Sequence, residues 1–277
     1  MKYKMLCIDM DGTLLNSQKE ITEKNKEYLR KAQEAGVKVV ITTGRLFTSA
    51  DYYADLIGIK APIISANGAY IREKDRDEVI YKALLGRENC CTILEVLKKY
   101  ELIPNFHTPN KIFTERKNPH IQMYLKINDR HPEDKKIDII FVDKWEHVFE
   151  EFEMEILKCL AISEDNERVM KAKGELLTLE GLEVVSSSSN NFEVMTRGIS
   201  KGRAVEILAS YYNIVQDEII CIGDNENDAS MIQYAGLGVA MGNAEEEIKD
   251  MAQYITASND EDGVAEVVDK FILGYTI

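Results

Sequence analysis

Long apolar runs are missing from this sequence. No stretch approaches the roughly 20 residues of a membrane-spanning helix. The first residues, MKYKMLCIDMDG, have neither the apolar length nor the cleavage site of a secretory signal. The expectation is a soluble, cytoplasmic chain. Basic charge is also scarce: Lys and Arg number 34 against 48 Asp and Glu, a formal charge of -14. Such a balance argues against a sequence-independent grip on nucleic acid or on an anionic membrane. Cysteine is present without pattern. Cys7, Cys90, Cys91, Cys159 and Cys221 are odd in number and form no C-x-x-C pair or zinc-like spacing, so they read as reduced thiols, mostly core filler. His107, His120, His131 and His147 are irregularly spaced with no accompanying carboxylate pattern. They read as solvated or capping residues rather than as a metal cluster. Internal repeats are absent, and SSSSNN at 186–191 is the one low-complexity tract.

What is present is alternation. At 277 residues the chain exceeds what one ordinary core organises, so about two domains are expected. Continuous apolar runs ending in small or acidic residues recur as KMLCID (4–9), VKVVITTG (37–44), PIISANG (62–68), EIICIGD (218–224) and LGVAMGN (237–243). Unbroken runs suit parallel strands buried on both faces. Amphipathic stretches of helical period separate them, among them TEKNKEYLRKAQEAG, LFTSADYYADLIG and KGRAVEILASYYN. This order predicts an α/β fold, a doubly wound, Rossmann-like parallel sheet. The middle of the chain differs. Strand-like IPNFHT, IQMYLKI, DIIFV and EILKCLAI are separated by charged helices, which predicts an inserted α+β domain over 84–190 within a core of 1–83 and 191–277. SSSSNN marks the expected return crossing, and a hairpin turn between EVV and FEVM fits the same residues.

The chemistry-bearing residues fall where apolar runs stop. Asp9 and Asp11, Thr43 and Gly44, Asn67 and Gly68, and the run GDNEND at 223–228 all follow predicted strands. The carboxyl ends of parallel strands form the ligand crevice of an open α/β sheet, so these residues are expected to converge. In DMDGT two carboxylates lie one residue apart, and their repulsion calls for a cation or a shared proton. Mg2+ is the natural cation, with Asp224 offering a third acidic ligand. Gly12 allows a close turn whose amides can face a phosphate oxygen. Thr43 and Gly44 offer a hydroxyl and an amide to the same group. Lys201 follows Ser200, a good N-cap, at a helix start where the dipole disfavours a cation by roughly 0.3 to 1 kcal/mol. A nearby anion would reverse that penalty, whereas an exposed lysine reaching into water is the plainer alternative.

Other phosphate and metal signatures fail. In GLGVAMG (236–242) the third glycine falls one residue late for a dinucleotide loop. Counting a calcium loop from Asp224 places Ala229 where its glycine belongs and Ala235 where its glutamate belongs. There is no G-x-x-x-x-G-K-[ST].

DMDGT, then TTGR, then a lysine at a helix start, then GDNENDA, in that order on alternating elements, resembles the haloacid dehalogenase superfamily. More narrowly, it is similar to the Cof-type phosphatases of type IIB, which carry a C2 cap after the third strand. The resemblance implies a Mg2+-dependent phosphatase acting on small phosphorylated metabolites, such as sugar phosphates or phosphorylated cofactors. It implies that Asp9 is the nucleophile and Asp11 the general acid and then base. Lys201 would neutralise charge on the phosphate and Asp9, while Gly12, Thr43, Gly44 and Asn227 would bind the phosphate. Mg2+ would be held by Asp9, Asp224 and the backbone carbonyl of Asp11. Asp228 would orient the phosphate, the lysine or metal-bound waters. A phosphomutase on the same core and a non-catalytic phosphometabolite-binding protein are the alternatives, and the sequence is silent on oligomeric state.

Overall fold

The structure, a computed structural model, describes residues 2–274. Their contacts divide the chain into two units. The first comprises residues up to Gly44, Tyr53–Tyr81 and everything from Ser200 onward; the second comprises Arg45–Tyr52 and Lys82–Ile199.

In the first unit five parallel strands lie in the order Tyr254–Ile255, Leu237–Ala240, Ile219–Gly223, Met5–Ile8, Lys38–Ile41. Parallel neighbours need a crossover. Helices Glu23–Glu34, Ala229–Tyr234 and Glu246–Met251 supply those inside this sheet. Every residue of Met5–Ile8, Ile219–Gly223 and Leu237–Ala240 is buried, which is why their sequences run apolar without alternation. Met5, Cys7, Val40, Ile219 and Cys221 pack with Val205 and Leu208 of helix Lys201–Tyr211. That helix begins where the Ser200 hydroxyl accepts the amide of Arg203 at 3.1 Å. The run PIISANG forms only the short strand Ile63–Ser65. It meets the main sheet through a single parallel bridge from Thr42 to Ile64 and belongs to a ribbon with Tyr70–Arg72 and Val79–Lys82.

The second unit holds a six-stranded sheet in the order Leu182–Val185, Asn191–Thr196, Lys158–Ile162, Asn105–His107, Lys111–Thr114, Asp138–Phe141. Its pairs are antiparallel except the last, which is parallel. Phe106, Phe113, Cys159, Ala161, Phe192 and Val194 form its core with residues of helices Arg87–Lys99, Trp145–Glu151 and Asn166–Leu177. Residues of opposite parity, Asn105, His107, Lys158 and Glu193, are polar yet buried, and Lys158 and Glu193 form an ion pair there.

Three expectations change. IQMYLKI is not a strand but part of helix Pro119–Asn128, because the Asn118 side chain caps the amide of Ile121 at 3.1 Å and Pro119 occupies the first helical position. SSSSNN is a hairpin turn: Val185 pairs with Glu193 across it. Strand Asn191–Thr196 therefore stays in the second sheet, and the chain returns to the first unit at Ser200 rather than at residue 191. His107, His120 and His131 are buried rather than solvated. The rings of His107 and His120 stack at 5.0 Å with their Nε2 atoms 3.0 Å apart, against Tyr124.

Burial, reinforced by Lys158, pushes the His120 imidazole down to about 3. The fold thus holds His120 neutral, while an unfolded chain protonates it near the ordinary value of about 6.5. The sign follows: stability present above pH 6.5 is lost as pH falls toward 3. Between pH 7 and 5, His120→Gln should lose about 1 to 2 kcal/mol less stability than the parent. Urea unfolding of both proteins at several pH values measures this, and parallel curves would contradict it.

Candidate active site

Asp9 continues the strand Met5–Ile8, which lies between two parallel neighbours. Its amide donates to the Ile222 carbonyl at 3.0 Å, and the amide of Thr42 donates to the Ile8 carbonyl at 2.9 Å. The ends of three strands are thereby level. The Lys201 ammonium, 0% exposed, donates to Asp9 Oδ1 at 2.5 Å and to Asp228 Oδ1 at 2.6 Å. The other Asp228 oxygen accepts the amides of Asp224 at 3.0 Å and Asn225 at 3.2 Å. The Thr13 hydroxyl donates to Asp224 Oδ1 at 2.7 Å. Gly12, at φ +85°, lies so close to the Asp224 carboxylate that an added Cβ would collide with it. This turn needs glycine for both its backbone and its space.

Asp9, Asp224 and Asp228 each offer an oxygen within 4.8 Å of the others. All three are buried around a single buried ammonium, so two negative charges remain uncompensated when all are ionised. Burial, then Asp228, raises the Asp9 carboxyl well above its usual range; Lys201 opposes the rise and Asp224 adds to it. Burial and Asp228 likewise raise Asp224 to about 7, against the Thr13 hydrogen bond and Lys201. For Lys201, burial disfavours the charged form, but Asp228 and Asp9 outweigh it and hold the ammonium above its usual range. Buried carboxylates that repel one another in this way, with oxygen donors only, suit a hard divalent cation.

The other residues singled out by sequence fall as follows. Asp11 does not join the carboxylate group. Its side chain is 42% exposed and bonds the Lys19 ammonium at 3.0 Å. Thr43 is buried; its amide donates to the Ile64 carbonyl and its own carbonyl accepts the amide of Asn67. Gly44 follows it directly. The Asn227 amide group donates to Asn67 Oδ1 at 3.1 Å. Asp228, read as an orienting residue, is one of the three grouped carboxylates. Sequence reasoning missed Thr13, Lys19 and Asn243. Asn243 Nδ2 donates to the Gly12 carbonyl at 2.8 Å. Its place just past the strand Leu237–Ala240 was a signal of the same kind as the others.

Residues 6–268 match the family described as haloacid dehalogenase-like hydrolase. The chain is 32% identical to the phosphatase YwpJ of Bacillus subtilis, over 96% of this chain and 98% of that one. It is 33% identical to the 5-amino-6-(5-phospho-D-ribitylamino)uracil phosphatase YwtE of the same organism, over 98% and 99%. The crystal structure of a haloacid dehalogenase-like hydrolase from Bacteroides thetaiotaomicron superposes with a TM-score of 0.84 at 32% identity, covering 98% of this chain and 100% of that one.

The contact of Gly12 with Asp224 makes a direct prediction. Gly12→Ala should displace the Asp224 carboxylate and weaken cation binding about 10- to 100-fold, as loss of a supporting contact does elsewhere. Calorimetric titration with magnesium chloride reads the affinity, and far-ultraviolet circular dichroism checks the fold. Unchanged affinity would show that the carboxylate does not serve a cation.

Proposed function

The chain belongs to the haloacid dehalogenase-like hydrolase family and is a phosphoric monoester hydrolase like its relatives; from that premise we propose that it releases phosphate from small metabolites with Mg2+ as cofactor and phosphorylated Asp9 as intermediate. One observation carries the reading: a fully buried ammonium, Lys201, held between Asp9 and Asp228 with Asp224 alongside. A buried charge cluster costs stability unless it is compensated, and its place at strand ends is where this class of sheet takes ligands.

Phosphate monoesters hydrolyse among the slowest of uncatalysed reactions, and their loose transition state leaves a protein mainly to position groups and offset charge. In the proposed first step an Asp9 oxygen forms a bond to phosphorus while the ester P–O bond breaks in line. Asp11 gives its proton to the leaving oxygen. In the second step water attacks phosphorus and passes a proton to Asp11, and the bond to Asp9 breaks to free inorganic phosphate. Lys201 fixes the Asp9 carboxylate through Oδ1 and offsets charge on the phosphoryl group. The Thr43 hydroxyl, the amides of Gly12 and Gly44 and the Asn227 side chain hold the phosphate oxygens. Asp9, Asp224 and the Asp11 carbonyl would hold Mg2+, with Asp228 as the supporting carboxylate. When bound, the ion stabilises negative charge on a phosphoryl oxygen.

The YwtE name supports a small, hydroxyl-rich phosphate ester as substrate, in the range of sugar phosphates and phosphorylated cofactors. Selection among them is assigned to the inserted unit. No helix of the described residues is long and apolar enough to cross a membrane; the substrate is proposed to be met in the cytoplasm. Relatives named as phosphatases favour release of phosphate over its return to a sugar.

Incubation with a radiolabelled phosphate ester and an acid quench should leave label on Asp9, and Asp9→Asn should carry none and turn over at least about 1,000-fold more slowly. Label on another residue, or a fully active Asp9→Asn protein, would overturn the nucleophile. EDTA should abolish phosphate release and excess magnesium restore it; full activity in the chelator would remove the metal from the reaction.

A further inference from the structure

Asn67 and Gly68, which the sequence places at a strand end, have no part in the reaction above. They belong to the turn that follows strand Ile63–Ser65, and its backbone is unusual. Ala66, Asn67 and Gly68 stand in succession at φ +51°, +55° and +101°, a left-handed region that residues with a side chain seldom enter. The turn is also buried, with Ala66 and Asn67 only 2% and 1% exposed. A Cβ on Gly68 would run into the Ser200 carbonyl and the Ala204 side chain, so the turn is wedged against the start of the helix that carries Lys201. Backbone in sparsely populated conformations gathers at functional sites, where the surrounding contacts over-determine it.

The contacts of Asn67 show what the turn holds. Its amide donates to the Thr43 carbonyl at 3.0 Å, and its Oδ1 accepts Asn227 Nδ2 at 3.1 Å. Thr43 follows strand Lys38–Ile41, and Asn227 lies in the turn Glu226–Asp228 that follows strand Ile219–Gly223. The sheet order puts Met5–Ile8, and with it Asp9, between those two strands. One residue beyond a fourth strand thus bonds both of the groups that flank the proposed nucleophile. All of them belong to the first unit.

The side-chain bond decides a chemical question. A primary amide presents two N–H donors at one end and an acceptor oxygen at the other. With Nδ2 of Asn227 turned to Asn67 Oδ1, the donor end is fixed in place, and that nitrogen has a second N–H to give to a phosphate oxygen. Turned over, the same side chain would set its own oxygen against the phosphate. The backbone alone does not call for asparagine, because glycine adopts φ +55° more readily. What asparagine adds is the acceptor.

We propose that Asn67 is a positioning residue that orients the Asn227 side-chain amide so that its N–H faces the phosphate of the substrate. The proposal rests on the reading above in which Asn227 holds a phosphate oxygen. Asn67 acts through Asn227 and exchanges no atom with the substrate. The phosphate is held both before and during the reaction, so losing this orientation weakens binding more than it slows turnover.

The test uses the full chain, with hydrolysis of p-nitrophenyl phosphate in magnesium giving kcat and KM, and competition by inorganic phosphate giving its inhibition constant. Asn67→Gly isolates the side chain, since glycine keeps both the left-handed backbone and the amide that bonds Thr43. Asn67→Gly and Asn227→Ala should each raise KM and the phosphate inhibition constant about tenfold, while kcat changes less than about threefold. In the doubly substituted protein, Asn67→Gly should add less than about twofold to the effect of Asn227→Ala, because the two residues act as one. An unchanged inhibition constant in Asn67→Gly, a loss of equal size with or without Asn227, or a fall in kcat as large as the rise in KM overturns the role of Asn67. An unchanged inhibition constant in Asn227→Ala alone removes Asn227 from the phosphate, and the role of Asn67 falls with it.

Discussion

The ammonium of Lys201 sets the terms for the rest of the first unit. Taking it fully out of water costs several kcal/mol, and the carboxylates of Asp9 and Asp228 at 2.5 and 2.6 Å offset that cost. The three groups come from three elements: the end of strand Met5–Ile8, the start of helix Lys201–Tyr211, and the turn leading into helix Ala229–Tyr234. Removing one member of such a buried set costs about 3 to 5 kcal/mol, because the others are left unpaired. The fold and the site are thus fastened by the same contacts. Gly202 shows how tightly the helix must approach: a Cβ there would run into the Ser230 carbonyl. The amide of Gly202 instead donates to the Ser230 hydroxyl at 3.0 Å.

Around that fixed charge the carboxylates divide by environment. Asp9, Asp224 and Asp228 are buried and crowd one another, so their ionisation calls for positive charge beyond Lys201. Asp11, two residues from Asp9, meets solvent and an ammonium instead. Identical side chains close in sequence are thereby placed in different environments, one buried among charges and the other at the surface. The separation originates in the backbone. The strand ends at Ile8, and the turn through Gly12 at φ +85° carries the chain out of the sheet before the loop to Glu20 closes.

Much of this was legible from residue order alone, for a physical reason. Strands buried on both faces must be continuously apolar, so Met5–Ile8, Lys38–Ile41, Ile219–Gly223 and Leu237–Ala240 announce themselves, and the residues just past them fall at the ligand edge. Asp9 and Asp224 could be found in this way, and Lys201 from the N-cap Ser200 that precedes it. The outward aim of Asp11 could not, because it depends on a loop whose shape is fixed by Asp260 and Asn259, more than 240 residues away. Asp228 was undervalued because a short turn after Asn225, rather than a strand end, delivers it to Lys201. In the inserted unit the reading was weaker. IQMYLKI has the bulk of a strand, and only its Asn-Pro start reveals a helix. The burial of His107 depends on strand pairing, and that of His120 on a helix that stacks it against His107; neither leaves a local periodicity.

The strand order has a consequence for synthesis on the ribosome. Met5–Ile8 emerges first, but one of its two neighbours, Ile219–Gly223, is more than 200 residues downstream, whereas the second unit is built chiefly from the continuous stretch Lys82–Ile199. A nascent chain can therefore complete most of the inserted unit while Met5–Ile8 still waits, one edge unpaired, for Ile219–Gly223. Long-range pairing of this kind is slow to form and exposed to misassociation meanwhile. The arrangement that gathers Asp9 and Asp224 at one edge thus delays closure of this sheet until after most of the inserted unit has been made.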